Sequence, residues 1–203
     1  MTSKICILDY GSGNVASVYN MVSRLSPTMI SNSASDLENA SHIILPGVGS
    51  FGASVSKIRE KIPLDVLFSS LEKGKPFLGI CVGMQVLAEF GSEFGKYEGL
   101  GLIPGAVDEL NSVSERIPHI GWNNIQIQQN HPLVNGITEK DDFYFVHSFA
   151  LNPSDPKMNI ATTSYGADFT SVIARENVMG VQFHPEKSQI SGLTVLSNFL
   201  GIQ

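Results

Sequence analysis

The chain has 203 residues, a net charge of −6, 42% hydrophobic and 16% charged residues, a composition typical of a globular protein with a full core. The sequence lacks the basic cluster that would indicate nucleic-acid binding, and it lacks an apolar run that would predict a membrane span or signal peptide. The two cysteines make no disulfide framework and the five histidines are scattered, so we expect a cytoplasmic protein without a metal or other cofactor.

The first half of the chain alternates predicted strands and helices. In chain order we expect a strand at 4–8, a helix at 14–25, a weak strand at 29–30, a strand at 43–45, helices at 53–62 and 64–73, a strand at 76–80, and a helix at 82–90. Such alternation favours a parallel sheet that is covered by helices on both faces.

The second half is richer in predicted strands, which lie at 101–105, 124–128, 143–146, 159–164, 171–175 and 178–183. A last helix is predicted at 192–200. We therefore expect an α/β fold with an open, mixed, mainly parallel sheet flanked by helices, and antiparallel pairs in the second half. No linker, repeat or low-complexity segment divides the chain, so we expect one domain over 1–203.

The segment Gly79-Ile80-Cys81-Val82-Gly83 is the strongest chemical signal. It places Cys81 at a sharp turn between a buried strand and a helix, the geometry that exposes a nucleophile in the elbows of hydrolases. A helix N-terminus favours a thiolate, and the amide of Val82 points to where an oxyanion would form. The alternative is a structural cysteine, which is our interpretation of Cys6.

A base for this cysteine is offered by His184-Pro185-Glu186, at the end of a predicted strand. Glu186 can hold the imidazole of His184 in the productive tautomer, as the acid of a catalytic triad does. A cysteine with a distant histidine and a nearby acid is the arrangement expected for acyl transfer through a thioester.

Two glycine-rich loops follow predicted strands. Pro46-Gly47-Val48-Gly49 is expected at the carboxyl edge of the sheet beside Cys81, where its amides would supply a second oxyanion donor. A plain glycine turn is the alternative. For Gly11-Ser12-Gly13-Asn14 an ordinary turn with an N-cap, or a contact with a partner, is favoured over a phosphate site.

These motifs resemble those of the class I glutamine amidotransferases, and the elbow Gly-x-Cys-x-Gly-x-Gln is shared across that class, whose fold is flavodoxin-like. Further segments make the chain more similar to the glutaminase subunits of imidazole glycerol phosphate synthase, and the resemblance covers nearly its whole length. The segments are 9–14, 46–51, 79–85, 99–105, Pro118 to Asn123, Tyr144 to Ser148 and Gly180 to Ser188.

The resemblance implies that Cys81, His184 and Glu186 form a triad that hydrolyses glutamine through a glutamyl thioester. It implies an oxyanion hole from Val48, Gly49 and Val82. It also implies that the 46–49 strand can hold a peptide orientation that does not form this hole until a partner induces the change. Glutamine would be held by Gly49, Gln85, Ser148 and Phe149. An amide such as that of Gln85 can pair with a fixed polar group of the amino acid.

The resemblance also implies a partner, a HisF-type (β/α)8-barrel cyclase that receives the ammonia as the other half of a heterodimer. That cyclase forms imidazole glycerol phosphate and an aminoimidazole carboxamide ribonucleotide in histidine biosynthesis. The residues implied at this interface are Asn14, Trp122, Asn123, Tyr144 and Lys187. For Trp122 an interface anchor and a core position are equally compatible with the sequence.

The chain departs from this pattern at Phe149-Ala150, where the family usually carries two tyrosines, and at Ser50, where alanine is commoner. Three alternatives therefore stay open. The chain is a paralogue that feeds a different HisF-like synthase, for example in surface-sugar amidation, or the glutaminase subunit of a chorismate-using synthase. The third is a non-enzymatic regulatory or scaffold module that has kept the fold, which the intact triad disfavours.

Overall fold

A computed structural model describes residues 4–11, 13–112 and 115–203. Ser12, within the Gly-Ser-Gly-Asn loop, and the three N-terminal residues lie outside the described part. None of the helices in the described ranges is long and apolar enough to cross a membrane.

The described residues form six α-helices, three short 3-10 helices and fourteen strands. The helices are α1 (Val15–Val22), α2 (Ala34–Asn39), α3 (Phe51–Lys61), α4 (Leu64–Glu72), α5 (Val82–Gln85) and α6 (Gln189–Leu200). The strands are β1 (Ile5–Leu8), β2 (Thr28–Ser31), β3 (His42–Gly47), β4 (Phe77–Cys81), β5 (Ala88–Gly91), β6 (Tyr97–Glu98), β7 (Ile103–Glu109), β8 (His119–Asn124), β9 (Gln126–Ile127), β10 (Asp142–His147), β11 (Phe149–Pro153), β12 (Asn159–Tyr165), β13 (Ala167–Arg175) and β14 (Val178–Val181).

The main sheet has eight strands in the order β2-β1-β3-β4-β14-β13-β12-β9. The strands from β2 to β14 are parallel, and those from β14 to β9 pair antiparallel. The parallel part has the 2-1-3-4-5 order of flavodoxin-like sheets, which bind ligands outside the carboxyl ends of their strands. Every residue of β1, β3, β4 and β14 is buried, as expected for a sheet covered on both faces.

Two smaller sheets stand beside the main one. Four strands pair in the order β11-β7-β5-β6, and β10 pairs with β8 in an antiparallel ribbon. Residue 147 ends β10 and residue 149 begins β11, so the segment between these sheets is very short. This short segment carries Ser148 to the edge of the main sheet where β3 and β4 end.

The predicted mixed α/β fold with antiparallel pairs in its second half is confirmed, and one helix prediction is wrong. The helix expected at 82–90 ends at Gln85, and the chain continues as β5. Val86, Leu87 and Ala88 are all fully buried, so this run has no polar face, and a short apolar run does not distinguish helix from strand. A helix of four residues has a small dipole, so the expected support for a Cys81 thiolate is weak.

Other boundaries shift, and some elements had no clear sequence signal. The strand expected at 101–105 begins at Ile103 and runs to Glu109. The strand expected at 124–128 is reduced to the two residues of β9 and shares only Asn124 with β8. Helix α2 and strands β5, β6, β8 and β11 were not expected. They are short elements, with two to six residues each.

Candidate active site

Cys81 ends β4 at a sharp turn with φ 54° and ψ −115°, a left-handed conformation that a side chain rarely adopts. Strain of this kind persists where the surroundings enforce it and is concentrated at functional sites. The turn packs closely on the neighbouring strand, since a Cβ added at Gly83 would overlap the carbonyl oxygen of Leu45. The flanking glycines therefore permit the close approach that the sequence predicts.

The main sheet brings His184 beside Cys81. Strands β4 and β14 are parallel neighbours with Val181 opposite Ile80, so the residues that follow each strand meet at one edge. The side chain of His184 is 1% exposed and that of Glu186 is fully buried, and His184 Nδ1 lies 2.7 Å from Glu186 Oε1. The N–H of Nδ1 donates to this carboxylate, which leaves the Nε2 lone pair for a thiol proton.

Burial by itself disfavours a charged His184, but interactions with the Cys81 sulfur and the Glu186 carboxylate outweigh it and raise the pKa of His184 to about 10. Nε2 is buried and has no well-formed hydrogen bond within the described residues. Catalytic hydrogen bonds are often loose before substrate binds. The arrangement therefore favours an imidazolium once the cysteine proton has moved.

Asn14 is the unexpected neighbour of this pair. It starts α1 in a left-handed conformation, and its side chain makes no capping hydrogen bond. Instead its Nδ2 donates a short hydrogen bond to Oε1 of Glu186 and lies 3.4 Å from Nδ1 of His184. Because Asn14 Nδ2 and His184 Nδ1 are both donors here, they do not bond to each other, and Oε1 of Glu186 accepts a hydrogen bond from each. Asn14 occupies the expected N-cap position, where its carbonyl oxygen accepts the N–H of Val18 at 3.2 Å, but its side chain holds the acid and does not cap the helix.

A cavity of about 370 Å³ opens over Cys81, a size suited to a small molecule. Register places Gly47 opposite Cys81, so the loop after β3 forms one wall, and Gly49 in that loop has φ +96°. The predicted residues in the lining are Val48, Gly49, Cys81, Val82, Gln85, Ser148, Phe149 and His184, and those not predicted are Glu93, Pro118, Val146 and His147.

Both N–H donors of the Gln85 side-chain amide bond to groups within the protein. Its Nε2 lies 2.7 Å from the Phe149 carbonyl oxygen and 3.1 Å from Oε1 of Gln182. Since an amide has two N–H donors and one oxygen, a ligand can meet only the oxygen of Gln85. Gln85 would therefore accept a hydrogen bond from a ligand.

Glu93 brings a carboxylate to the same cavity. One of its oxygens accepts the N–H of Phe51, at 2.7 Å, at the start of α3. This contact holds the acid in place and leaves its second oxygen for a cation. Glu93 lies beyond the helix predicted at 82–90, in a segment for which no element or site was predicted.

Three of the predicted interface residues share one surface, which we call the aromatic patch: Trp122, Tyr144 and Lys187. The two rings are edge-to-face at 5.8 Å, and Lys187 Nζ lies 5.4 Å from the centre of the Tyr144 ring. Trp122 is 49% exposed, so a core position is excluded. Exposed Ile120 on β8 and Ile190 at the start of α6 add apolar surface to the same region.

The other two predicted interface residues are placed differently. Asn123 follows Trp122 and donates to the carbonyl oxygen of Ser164 at 3.1 Å, and Asn14 contacts the acid as described.

The aromatic patch is directly connected to His184, because the Tyr144 carbonyl oxygen accepts the N–H of His184 at 2.9 Å. The Tyr144 N–H in turn donates to Ser188 Oγ at 3.0 Å.

Comparison with known proteins identifies the family. The sequence model of "Glutamine amidotransferase class-I" matches residues 6–201. The chain belongs to the class I glutamine amidotransferases. A structure described as PurLQS from Thermotoga maritima has the same fold at 21% identity, with a TM-score of 0.77 over 99% of both chains.

The amidotransferase has more similar relatives among curated sequences. It is 44% identical to "Imidazole glycerol phosphate synthase subunit HisH" of Pyrococcus furiosus, over 97% of both chains. It is 42% identical to the protein of the same name in Sulfurimonas denitrificans, over 96% of both chains. It is also 42% identical to "Imidazole glycerol phosphate synthase subunit HisH 2" of Pseudomonas aeruginosa, over 97% of this chain and 98% of that one.

The second cysteine of the amidotransferase lies in the core of the main sheet. Cys6 in β1 is fully buried, and burial raises the pKa of its thiol to about 12. Within residues 4–11, 13–112 and 115–203, no three His, Cys, Asp or Glu side chains converge as a metal site does.

Proposed function

We propose that this amidotransferase is the glutamine-hydrolysing subunit of an imidazole glycerol phosphate synthase and supplies ammonia to a HisF-type cyclase in histidine biosynthesis. The observation that carries the proposal is the buried Cys81–His184–Glu186 arrangement at the floor of the cavity. The near full-length relatives named for that synthase support the choice of pathway. The proposal treats 1–203 as one glutaminase domain that acts in the cytoplasm without a cofactor.

The reaction begins when the Cys81 sulfur attacks the side-chain amide carbon of glutamine and its proton passes to Nε2 of His184. The carbonyl oxygen becomes an oxyanion beside the amides of the Val48–Gly49 loop and of Val82. The carbon–nitrogen bond then breaks as His184 returns the proton to the departing nitrogen. Ammonia leaves, and the glutamyl group stays on Cys81 as a thioester.

Water completes the cycle. His184 removes a proton from a water molecule, whose oxygen attacks the thioester carbon. The carbon–sulfur bond breaks as His184 returns this proton to the sulfur, which gives glutamate and the Cys81 thiol. The carboxylate of Glu186 stabilises the imidazolium that forms in each step. Asn14 orients this acid through the contact with Oε1.

Glutamine recognition follows from the donors and acceptors around the cavity. Glu93 offers a carboxylate oxygen to the α-ammonium group, and the Gln85 oxygen accepts a further N–H of the substrate. The backbone at Gly49, Ser148 and Phe149 lines the remaining wall. The departure at Phe149-Ala150 falls here, because Phe149 lines the cavity and Ala150 is buried in β11. It therefore does not favour a different partner.

The aromatic patch is the surface that we assign to the cyclase. Exposed aromatic and aliphatic side chains beside a lysine are typical of interface anchors. The main-chain link from Tyr144 to His184 gives a bound partner a short route to the base. Asn123 would complete this interface at its edge, and Asn14 would act through the triad.

The test is to replace Cys81 with alanine in the complex with a HisF-type cyclase. Glutamine-dependent synthesis should fall by about 10³-fold or more, whereas synthesis from added ammonia should stay near the parent rate, since ring closure occurs on the partner. Cys6→Ser is the matched control for loss of a thiol and should keep both activities in molecules that fold. Glutamine hydrolysis by Cys81→Ala near the parent rate would refute the assignment. A cyclase of histidine biosynthesis that gives no synthesis with the parent chain would favour a paralogous synthase.

A further inference from the structure

Gln182 has no part in the reaction described above, yet it lies against the nucleophile. It follows β14 directly, and its side chain is fully buried. Its Nε2 lies 3.7 Å from the Cys81 sulfur, and its Oε1 accepts from Gln85 at 3.1 Å. The amide therefore bridges the glutamine-binding cavity and the sulfur.

The direction of these hydrogen bonds is fixed by a group that can only accept. The Phe149 carbonyl oxygen carries no hydrogen, so Gln85 must present its NH2 group there, at 2.7 Å. The second hydrogen of that NH2 group meets the oxygen of Gln182, and the NH2 group of Gln182 is consequently turned to Cys81. Rotating the Gln182 amide by half a turn would place two donors against each other.

A second donor, His147, holds the same carbonyl oxygen, and His119 in turn orients the ring of His147. His147 Nδ1 lies 2.9 Å from the Phe149 oxygen and must donate to it. In a neutral His147 ring Nε2 is then an acceptor, and it accepts the N–H of His119 Nδ1 at 3.1 Å. Both lone pairs of the Phe149 oxygen therefore accept hydrogen bonds, and the Gln85 amide that donates to this oxygen has a single orientation.

We propose that Gln182 is a catalytic residue that donates an N–H to the Cys81 sulfur and favours its thiolate form, with Gln85 and the Phe149 carbonyl setting the direction of that donor. A sulfur anion is a stronger acceptor than a thiol, so the contact stabilises the ionised state more than the neutral one. Helix α5 has only one turn and contributes little to this, which makes a side-chain donor more important. The proposal rests on the proposed role of Cys81 as nucleophile.

The proposal is tested by the pH dependence of alkylation of Cys81 with iodoacetamide, in which the thiolate displaces iodide. The full chain is used, and the site of alkylation is read by peptide mass spectrometry, so any reaction at Cys6 is counted separately. Gln182→Met keeps the length and removes the N–H donor. We expect its alkylation midpoint to rise by about one pH unit and its rate at pH 7 to fall about tenfold.

Two further variants separate electrostatics from shape. Gln182→Glu has the shape of the parent but faces the sulfur with an acceptor, so its midpoint should rise further than that of Gln182→Met. Gln128→Met removes an exposed glutamine amide that donates to Thr162, and it should leave the midpoint unchanged. Equal midpoints in Gln182→Met, Gln182→Glu and the parent would overturn the proposal.

If neither Gln182 variant folds, Gln85→Leu provides the same test because it releases the Gln182 amide without changing it. The midpoint should again rise, and an unchanged midpoint would contradict the proposed direction. Alkylation needs neither glutamine nor cyclase. A shift in its midpoint therefore stands even if Cys81→Ala retains glutamine hydrolysis, and the two proposals fail separately.

Discussion

The charge of Glu186 can be removed without disturbing the contacts that hold it. Both donors, His184 Nδ1 and Asn14 Nδ2, converge on Oε1, and Oε2 meets no hydrogen-bond partner in the described ranges. In Glu186→Gln the amide oxygen can take the place of Oε1 and the NH2 group the place of Oε2. His184 then keeps its tautomer and loses only the negative charge opposite the imidazolium.

The cost of that loss follows from the geometry. The two side chains are 1% and 0% exposed and 2.7 Å apart, so solvent screens their interaction little. A hydrogen bond to a charged group contributes about 1.5–3 kcal/mol. Because about 1.4 kcal/mol corresponds to a factor of ten, glutamine kcat/KM should fall between about tenfold and just over a hundredfold.

The assay is glutamate release by the chain in complex with its cyclase, compared with His184→Ala, which should lose about 10³-fold or more. Glu60→Gln, at an exposed position on α3, controls for loss of a carboxylate and should behave as the parent. A loss in Glu186→Gln as large as in His184→Ala would refute the reasoning, and so would an unchanged rate.

Three further predictions follow from packing, burial and the aromatic patch. Gly83→Ala should lower the free energy of unfolding by about 1–3 kcal/mol in urea titrations, since its Cβ overlaps Leu45. Gly201→Ala, whose Cβ would lie 3.4 Å from its nearest atom, should have little effect. Burial lowers the pKa of His119 to about 4, below its unfolded value near 6.5. The contribution of neutral His119 to stability is therefore present above pH 6.5 and is lost as the pH falls toward 4. His119→Gln should reduce the slope of the unfolding free energy against pH, between pH 5.5 and 4.5, by about 1.4 kcal/mol per pH unit. The isolated chain should hydrolyse glutamine slowly, and Trp122→Ala should reduce stimulation by the cyclase and its nucleotide ligand by roughly tenfold or more while basal hydrolysis changes little; full activity of the isolated parent chain would contradict this.

The sequence predicts the parts of the site that have local signatures. The elbow at Cys81 and the His184-Pro185-Glu186 segment are short patterns, and a parallel sheet is enough to suggest that their strand ends meet. The structure brings these residues together as expected, although their roles remain predictions until they are tested.

The residues that sequence reasoning missed are polar groups whose partners come from distant segments. Glu93 lies in no motif, and His147 and Gln182 lie inside matching segments that do not reveal their roles. The role of each depends on a partner that folding brings close. Asn14 was noticed for its loop, but its contact with Glu186 spans 172 positions of sequence. The local signal for Gln182 is its place within the matching segment Gly180 to Ser188, two residues before His184.

The central position of β14 has a consequence for how the protein is made. This strand is the last in the chain, yet it lies between β4 and β13 in the middle of the main sheet. During translation Cys81 leaves the ribosome long before His184, so the nascent thiol has no base. A chain that terminates before β14 leaves the apolar edge of β4 unpaired, and such edges recruit strands from other molecules. Premature termination should therefore give insoluble fragments that cannot release ammonia.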